Sequence, residues 1–231
     1  MITIITVNWN AYDFLYLMIE SLQRFSTLPY DLIVIDNSIN KLKVTEHKVH
    51  QFFMPNNIGH GRGLNNGCEK AYNLFPKNPF LLFLDIDSHI VSHDWEMRFI
   101  NKMNDFDLIG ARGSQHKPIR PACMFFKKEL IKYDWNDTSG YRGNRVTPEG
   151  FDVAIKAHHK IIADGFRVGY MDCIKNKYDT VNGELYCLDN TPIAYHHWSA
   201  TWLDVRQDDF PDVDLQKDKE KLFQNIPWRL P

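Results

Sequence analysis

The sequence predicts an α/β fold in which a mostly parallel central sheet is flanked by helices. Apolar runs of strand length recur through the first half of the chain without alternation of polar residues, which is typical of strands buried on both faces. The segment between the first two runs has helical periodicity instead. The most apolar run ends directly at Asp85-Ile86-Asp87. Because ligands of open α/β sheets bind at the carboxyl ends of the strands, this run predicts a central strand and a binding site beside it.

Each element of the first half follows from a pattern and a stop signal. Residues 2–7 are a β-branched run stopped by Asn8, and residues 31–35 are an apolar run stopped by Asp36. Between them, apolar residues at helical spacing predict an amphipathic helix that ends near Ser26. We expect a short strand at 50–54, a polar glycine-rich loop over 55–67 that leads into a helix at about 65–74, and the central strand at 80–84.

The second half predicts further strands and helices with one long loop. We expect helices at 95–103, 148–163 and 215–223, and strands at 108–111, 122–126, 166–171 and 192–195. Residues 133–145 are rich in Gly, Asn, Asp and aromatic residues, which favours a substrate-facing loop. No internal repeat or long linker divides the chain, so we expect one domain.

Composition and charge exclude several classes of protein. The chain has 231 residues, of which 44% are hydrophobic and 24% charged, as in ordinary globular proteins rather than disordered, collagenous or coiled-coil ones. A formal net charge of −2 leaves no broad basic surface, so we expect no nucleic-acid partner. The four cysteines form no Cys-x-x-Cys pair, which argues against a zinc ribbon or a redox pair. The apolar N-terminus lacks a basic segment, so we expect no signal peptide, no transmembrane segment and a cytoplasmic location.

The pair of carboxylates at Asp85 and Asp87 predicts a binding site for a divalent cation. Asp85 and Asp87 follow a buried strand, where two carboxylates repel each other unless a cation lies between them. Hard oxygen ligands suit Mg²⁺ or Mn²⁺, which bind one or two protein carboxylates together with the phosphates of a substrate. The alternative is structural: one aspartate caps the next helix and the other is solvated.

Four motifs in order extend this interpretation. Residues 5–10 and 34–38 end the first two strands, residues 56–67 precede a helix, and residues 84–87 hold the carboxylate pair. This ordered set resembles the GT-A-fold glycosyltransferases of the family 2 type, especially rhamnosyltransferase-like members, from residue 1 to about residue 197. The resemblance implies a single Rossmann-like GT-A domain. Its nucleotide-sugar-binding half would be residues 1–110 and its acceptor-binding half residues 111–200, followed by a tail at 201–231.

The resemblance also implies an activity. It implies a metal-dependent, inverting glycosyltransferase of the hexosyltransferase type, using Mn²⁺ or Mg²⁺. The donor would be a nucleoside-diphosphate sugar carrying UDP, dTDP or GDP, and the acceptor a hydroxyl of a glycan or glycoconjugate. Two alternatives remain open at this point. The run before Asp85 also resembles the first motif of haloacid-dehalogenase-type phosphatases, which use Mg²⁺, and the protein could be a non-catalytic module that binds nucleotide sugars or glycans.

Site residues carry over from the resemblance motif by motif. Those implied to bind the nucleotide sugar are Thr6, Val7, Asn8, Asp36, Asn57, Gly59, Arg62, Asn65, Asp85 and Ile86. The glycines would permit close backbone approach to a ligand, although they are also ordinary loop residues. The alternative for Asp36 is an Asx turn. The metal ligands would be Asp87 and Asp85 with His196 or His197, of which only one faces the site, since neighbouring side chains in an extended segment point to opposite faces.

The catalytic base is the least defined residue. In the family this carboxylate opens a helix within a Glu-Asp-x-Asp-like motif, and the corresponding residues here are Glu149 and Asp152, with Gly150 in place of the usual aspartate. Either residue would take the proton of the acceptor hydroxyl. The structural alternative is that both acids complement the N-terminal helix dipole. Arginines in expected loops, such as Arg120, are candidates for phosphate contacts, although solvated surface is the commoner role.

Overall fold

The structure is a computed structural model that describes residues 1–112, 119–136, 153–176 and 183–197. The strands are β1 (Ile2–Asn8), β2 (Tyr30–Asp36), β3 (Val49–Phe53), β4 (Phe80–Leu84), β5 (Ser88–Ile90), β6 (Leu108–Arg112), β7 (Ile119–Lys127), β8 (Val168–Asn176), β9 (Gly183–Leu188) and β10 (Thr191–His196). The helices are α1 (Tyr12–Phe25), α2 (His60–Leu74), α3 (Trp95–Lys102) and α4 (Ile155–Ala163), with a 3₁₀ helix at Lys128–Lys132.

The ten described strands form one sheet in the order β3-β2-β1-β4-β7-β6-β8-β9-β10-β5. The pairs β3·β2, β2·β1, β1·β4 and β6·β8 are parallel, whereas β4·β7, β7·β6, β8·β9, β9·β10 and β10·β5 are antiparallel. The predicted α/β class is confirmed. The predicted parallel arrangement holds for the first four strands, but the sheet as a whole is mixed, because β7 inserts antiparallel beside β4.

Two hydrophobic clusters cover the two faces of the sheet. The α1 cluster packs Phe14, Leu15 and Met18 against apolar side chains of β1, β2 and β4. On the opposite face, the α2 cluster packs Leu64 and Cys68 against other side chains of the same strands. Burial on both faces explains why these strands are continuous apolar runs in the sequence. Because β1 pairs in parallel with both β2 and β4, the carboxyl ends of these three strands lie at the same edge of the sheet.

The glycine-rich segment differs from its prediction, because α2 begins at His60 and not near Asn65. Gly61 and Gly63 lie in the first turns of the helix rather than in a loop. A Cβ atom on Gly63 would lie 2.7 Å from Val7 Cγ2, and one on Gly61 would lie 2.7 Å from the Cα atom of Asn136. These glycines therefore allow close approach of α2 to its protein neighbours, whereas the sequence suggested close approach to a ligand.

Beyond β4, β7 begins earlier than predicted and two strands were not predicted. β7 begins at Ile119, so Arg120 lies in a strand and not in the expected loop. β5 and β9 were not predicted. Only residues 155–163 of the helix expected at 148–163 lie in the described helix, and residues 137–152 and the helix expected at 215–223 lie outside the described residues. Among the described residues, no helix combines the length and the apolar character needed to cross a membrane.

Candidate metal and donor site

Three potential metal ligands meet at the carboxyl end of β4. Asp85 and Asp87 form the turn between β4 and β5, and His196 is the last residue of β10. Antiparallel pairing places His196 opposite Ser88, and the amide of His197 donates to the carbonyl oxygen of Asp87 at 2.9 Å. One ligand atom from each of Asp85, Asp87 and His196 lies within 4.8 Å of the other two. The structure thus brings together one predicted histidine and both predicted aspartates.

Each carboxylate also faces a histidine. His196 Nε2 lies 3.2 Å from Asp87 Oδ1, and His60 Nε2 lies 3.2 Å from Asp85 Oδ1. Burial raises the pKa of Asp85, but His60 and His196 outweigh burial and lower the pKa below its ordinary value. Burial lowers the pKa of His196, whereas Asp87 and Asp85 raise it more strongly, and the pKa ends above its usual range. The site therefore favours an ionised Asp85 beside a cationic His196.

Tyr186 orients the histidine of this cluster. Its hydroxyl lies 2.8 Å from His196 Nδ1, which leaves Nε2 directed at Asp87. Tyr186 is fully buried. Burial and then Glu184 raise the pKa of Tyr186, so its hydroxyl stays neutral and remains able to donate or accept. A metal-ligating histidine is usually held through its other ring nitrogen in this way.

The neighbouring histidine is part of the core. His197 Nε2 lies 2.9 Å from His89 Nδ1, and the His197 ring contacts Phe14 at a centroid distance of 5.6 Å. Burial, followed by repulsion from His196, lowers the pKa of His197 to about 3. Of the two histidines considered as metal ligands, His196 lies in the carboxylate cluster and His197 faces away from it.

The donor set fits a divalent cation of the hard to intermediate type. Two carboxylates and one imidazole offer ligand atoms that lie within 4.8 Å of one another, and Asp87 is only 5% exposed. Two carboxylates held this close repel each other, so a cation between them stabilises the arrangement. Oxygen ligands suit Mg²⁺ and Mn²⁺, and an imidazole shifts the preference toward Mn²⁺.

The residues predicted at the end of β1 are buried. Thr6 and Asn8 have no exposed surface, and Val7 packs against α2. Asn8 Oδ1 accepts from the amide of Ala11 at 3.1 Å, and its Nδ2 donates to Ser38 Oγ at 3.1 Å. This packing accounts for Val7 and Asn8 without a ligand, whereas Thr6 Oγ1 is buried and has no hydrogen-bond partner among the described residues. The contact of these three residues with a donor stays a prediction.

Asp36 is likewise bound by the protein itself. Its Oδ2 accepts from the Tyr12 hydroxyl at 2.9 Å and from Gln51 Nε2 at 2.6 Å, and its Oδ1 accepts from the amide of Ser38 at 2.9 Å. Asp36 has no exposed surface. The last bond is the Asx turn that the sequence left open, so the structure assigns Asp36 a structural contact in this conformation.

The residues predicted around α2 separate into structural and exposed positions. Asn57 Oδ1 accepts from the amide of Gly59 at 2.9 Å, which holds the turn before the helix. Asn65 Nδ2 donates to Asp134, and its Oδ1 accepts from the amide of Trp135 at 2.9 Å, so Asn65 ties α2 to the segment after the 3₁₀ helix. Arg62, by contrast, is exposed on the first turn of α2. Ile86, between the two aspartates, packs in the α1 cluster.

Sequence reasoning missed several residues of this site. His60 and Trp9 fall inside the quoted motifs without a role, yet His60 contacts Asp85 and Trp9 is 37% exposed just beyond β1. Glu184 was also missed; it is buried and lies 3.4 Å from Arg120, which the sequence offered only as a candidate for phosphate contacts. No local pattern marks Glu184 or Tyr186, because only strand pairing brings β7, β9 and β10 together. The predicted bases Asp152 and Glu149 lie outside the described residues.

Comparison with known proteins identifies the fold. The sequence matches no protein-family model, and no curated protein sequence matches it. Several solved structures match. The crystal structure of S. aureus TarS 1-349 is 15% identical in sequence, and the match covers 89% of this chain and 63% of that one with a TM-score of 0.54. Mannosyltransferase PcManGT from Pyrobaculum calidifontis, in complex with GDP-Man and Mn²⁺, matches at 12% identity over 73% of this chain and 54% of that one, with a TM-score of 0.51. GalNAc-T7 with UDP, GalNAc and Mn²⁺ matches at 13% identity over 74% of this chain and 41% of that one, with a TM-score of 0.51.

These likenesses confirm the GT-A fold that the sequence resemblance predicted. The chain spans between 41% and 63% of the length of these three structures. The fold does not favour the haloacid-dehalogenase alternative.

Proposed function

We propose that the protein is a metal-dependent glycosyltransferase that moves a sugar from a nucleoside-diphosphate sugar to a hydroxyl of a glycan or glycoconjugate. One observation carries the proposal: Asp85, Asp87 and His196 converge within 4.8 Å at the carboxyl edge of a GT-A sheet. Two structures with this fold, PcManGT and GalNAc-T7, contain Mn²⁺ together with GDP-Man or UDP. Asp85, Asp87 and His196 would hold Mn²⁺ or Mg²⁺ here, with Tyr186 fixing the imidazole.

A bound divalent cation would neutralise charge on the departing nucleoside diphosphate. The chain's own groups support this at the start of α2. No side chain caps this end of the helix, its first turn holds no acidic residue, and His60 there contacts Asp85. The amides of the first turn and the exposed guanidinium of Arg62 would therefore bind the diphosphate. Trp9, exposed just beyond β1, offers a flat apolar face for the nucleotide base.

The acceptor side requires a base. Asp152 or Glu149 would remove the proton of the acceptor hydroxyl as its oxygen attacks the anomeric carbon and the bond to the diphosphate breaks. Attack from the side opposite the leaving group inverts the anomeric configuration. A hexose as the transferred sugar, an inverting outcome and UDP, dTDP or GDP as the nucleotide all rest on the resemblance to family 2 enzymes.

Ligand-dependent stabilisation tests the proposal. A ligand that binds only the folded protein raises the melting temperature, so UDP, GDP and dTDP are each measured with and without Mn²⁺. We expect one nucleotide with Mn²⁺ to raise the melting temperature and Asp87→Asn to abolish that increase. Asp105→Asn, which removes an exposed carboxylate elsewhere, is the matched control. Release of that nucleoside diphosphate from its sugar donor then measures turnover. Full metal-dependent turnover by Asp87→Asn would refute the assignment.

A further inference from the structure

The loop between β2 and β3 exposes large apolar side chains. Ile39 is 78% exposed and Leu42 is 52% exposed, and Phe53 at the end of β3 is 38% exposed. Single exposed apolar residues are common, but here two lie in one loop and a third ends the adjoining edge strand, so this part of the surface is a candidate for contact with a partner. We call residues 39–43 the patch loop.

Hydrogen bonds hold the patch loop in place. The amide of Ile39 donates to Asn10 Oδ1 at 3.1 Å, and the amide of Leu42 donates to the Tyr12 hydroxyl at 2.9 Å. Gln51 Nε2 donates to the carbonyl oxygen of Leu42 at 2.9 Å. These bonds fix the backbone through side chains of the β1–α1 turn, α1 and β3. Ile39 and Leu42 are therefore presented outward by an ordered loop that needs little further ordering to bind.

Basic residues alternate with the apolar ones. Lys41 and Lys43 are exposed on either side of Leu42, and the patch loop contains no acidic residue although the whole chain has a net charge of −2. Lys41 Nζ lies 6.0 Å from the centroid of the Phe53 ring, which joins the lysine to the apolar patch. Exposed aliphatic groups flanked by lysines match the interface of a bilayer, where apolar side chains enter the acyl boundary and the ammonium groups meet anionic headgroups.

We propose that the patch loop binds the surface of a membrane that contains anionic lipids. The patch loop follows β2 at the carboxyl edge of the parallel strands, which is also the edge that holds Asp85 and Asp87. A protein bound through this loop keeps that edge close to the lipid surface, where an acceptor carried by a lipid would be within reach. The inference goes beyond the proposed function and does not depend on it, since lipid binding needs no metal, nucleotide or turnover.

Vesicle co-sedimentation tests the proposal. Wild-type protein is mixed with vesicles of phosphatidylcholine alone or with phosphatidylglycerol added, and the bound fraction is measured at low and high salt. We expect binding to the anionic vesicles only, falling as salt shortens the Debye length from about 10 Å at 0.1 M to about 3 Å at 1 M. Removing both charges with Lys41→Gln and Lys43→Gln should weaken binding by about 25-fold, since each lysine contributes about fivefold.

The apolar half of the patch is tested separately. Ile39→Ser with Leu42→Ser should weaken binding to anionic vesicles by at least about tenfold, because two aliphatic side chains no longer leave water. Ile162→Ser with Lys160→Gln, an exposed pair on α4, is the matched control and should bind as wild type does. Melting curves establish that each variant is folded.

Three results would overturn the proposal. They are wild-type protein that does not bind anionic vesicles, folded patch-loop variants that bind as tightly as wild type, and binding that is equal on neutral and anionic vesicles. If wild-type protein ignores vesicles but self-associates in sedimentation equilibrium, and Leu42→Ser abolishes that association, the patch is a surface between copies of this chain and the membrane assignment is wrong.

Discussion

Replacement of Gly63 tests how closely α2 packs on the sheet. The added Cβ would lie 2.7 Å from Val7 Cγ2 and 2.8 Å from Val7 Cγ1, whereas carbon atoms in a well-packed core lie about 3.5–4.0 Å apart. Val7 is β-branched and fixed in a buried strand, so it cannot rotate both methyl groups away. The first turns of α2 must therefore shift outward by about 1 Å, which follows from that gap in the packing distance.

The expected magnitude combines two opposing effects. Overpacking a core costs about 1–3 kcal/mol. Replacing glycine with alanine inside a helix returns about 1 kcal/mol. We expect Gly63→Ala to lower the free energy of unfolding by up to about 2 kcal/mol, since the difference between these effects is about 0–2 kcal/mol. Urea denaturation measures it, and Glu69→Ala, at an exposed position of α2, should change stability by less than about 0.5 kcal/mol.

A double-mutant cycle isolates the contact. Val7→Ala alone should destabilise the protein by about 2 kcal/mol through the loss of buried methyl groups. In the double variant the new methyl group of residue 63 occupies the space that Val7 vacates, so the second substitution should cost little, and the two effects should differ from additivity by about 1–2 kcal/mol. Additive effects, or a Gly63→Ala protein that is more stable than wild type, would refute the packing argument.

Three further predictions follow from contacts described above. Tyr186→Phe removes the group that holds His196 Nδ1, and we expect Mn²⁺ affinity measured by calorimetry to fall about tenfold; an unchanged affinity would exclude a positioning role. Burial and Asp164 raise the pKa of Tyr133 to about 12, so the stability this group contributes is fully present below pH about 10 and is lost as pH rises toward about 12. Urea denaturation at alkaline pH should show that the free energy of unfolding falls less steeply with pH for Tyr133→Phe than for wild type. Equal slopes would contradict the raised pKa of Tyr133 in the folded protein. Asn65→Ala should cost about 1 kcal/mol of stability by leaving the partly buried amide of Trp135 without its acceptor. A preserved nucleotide affinity would separate this structural contact from donor binding.

The local signals in the first half of the chain predicted most of its elements. Buried parallel strands are continuous apolar runs, so β1, β2 and β4 were located within two residues of their observed bounds. The start of α2 was misplaced because glycines resemble loop residues until the contact of Gly63 with Val7 is known. That contact depends on tertiary packing, which no short window of sequence contains.

The site was predictable only where a local signal in the sequence marks its residues. Asp85 and Asp87 adjoin a recognisable strand, so their place at the sheet edge followed from the sequence. The choice of His196 over His197, and the presence of Tyr186 behind it, depend on the register of β10 with its neighbours. Register is fixed by pairing across distant parts of the chain, and the sequence offers no local sign of it.

The strand order determines the stage of folding at which Asp85, Asp87 and His196 come together. β4 and β5 are joined by the turn that holds both aspartates, yet they occupy the fourth and the last positions of the strand order. The site is closed only when β10 pairs with β5, a step that joins His89 to His197 across 108 residues of sequence. Contacts between such distant residues are slow to form, because a long loop must close before they stabilise the fold. A chain emerging from the ribosome would therefore complete its parallel half first. The proposed metal site would gain His196 only after the last described strand is in place, so metal affinity at that site would report on late folding.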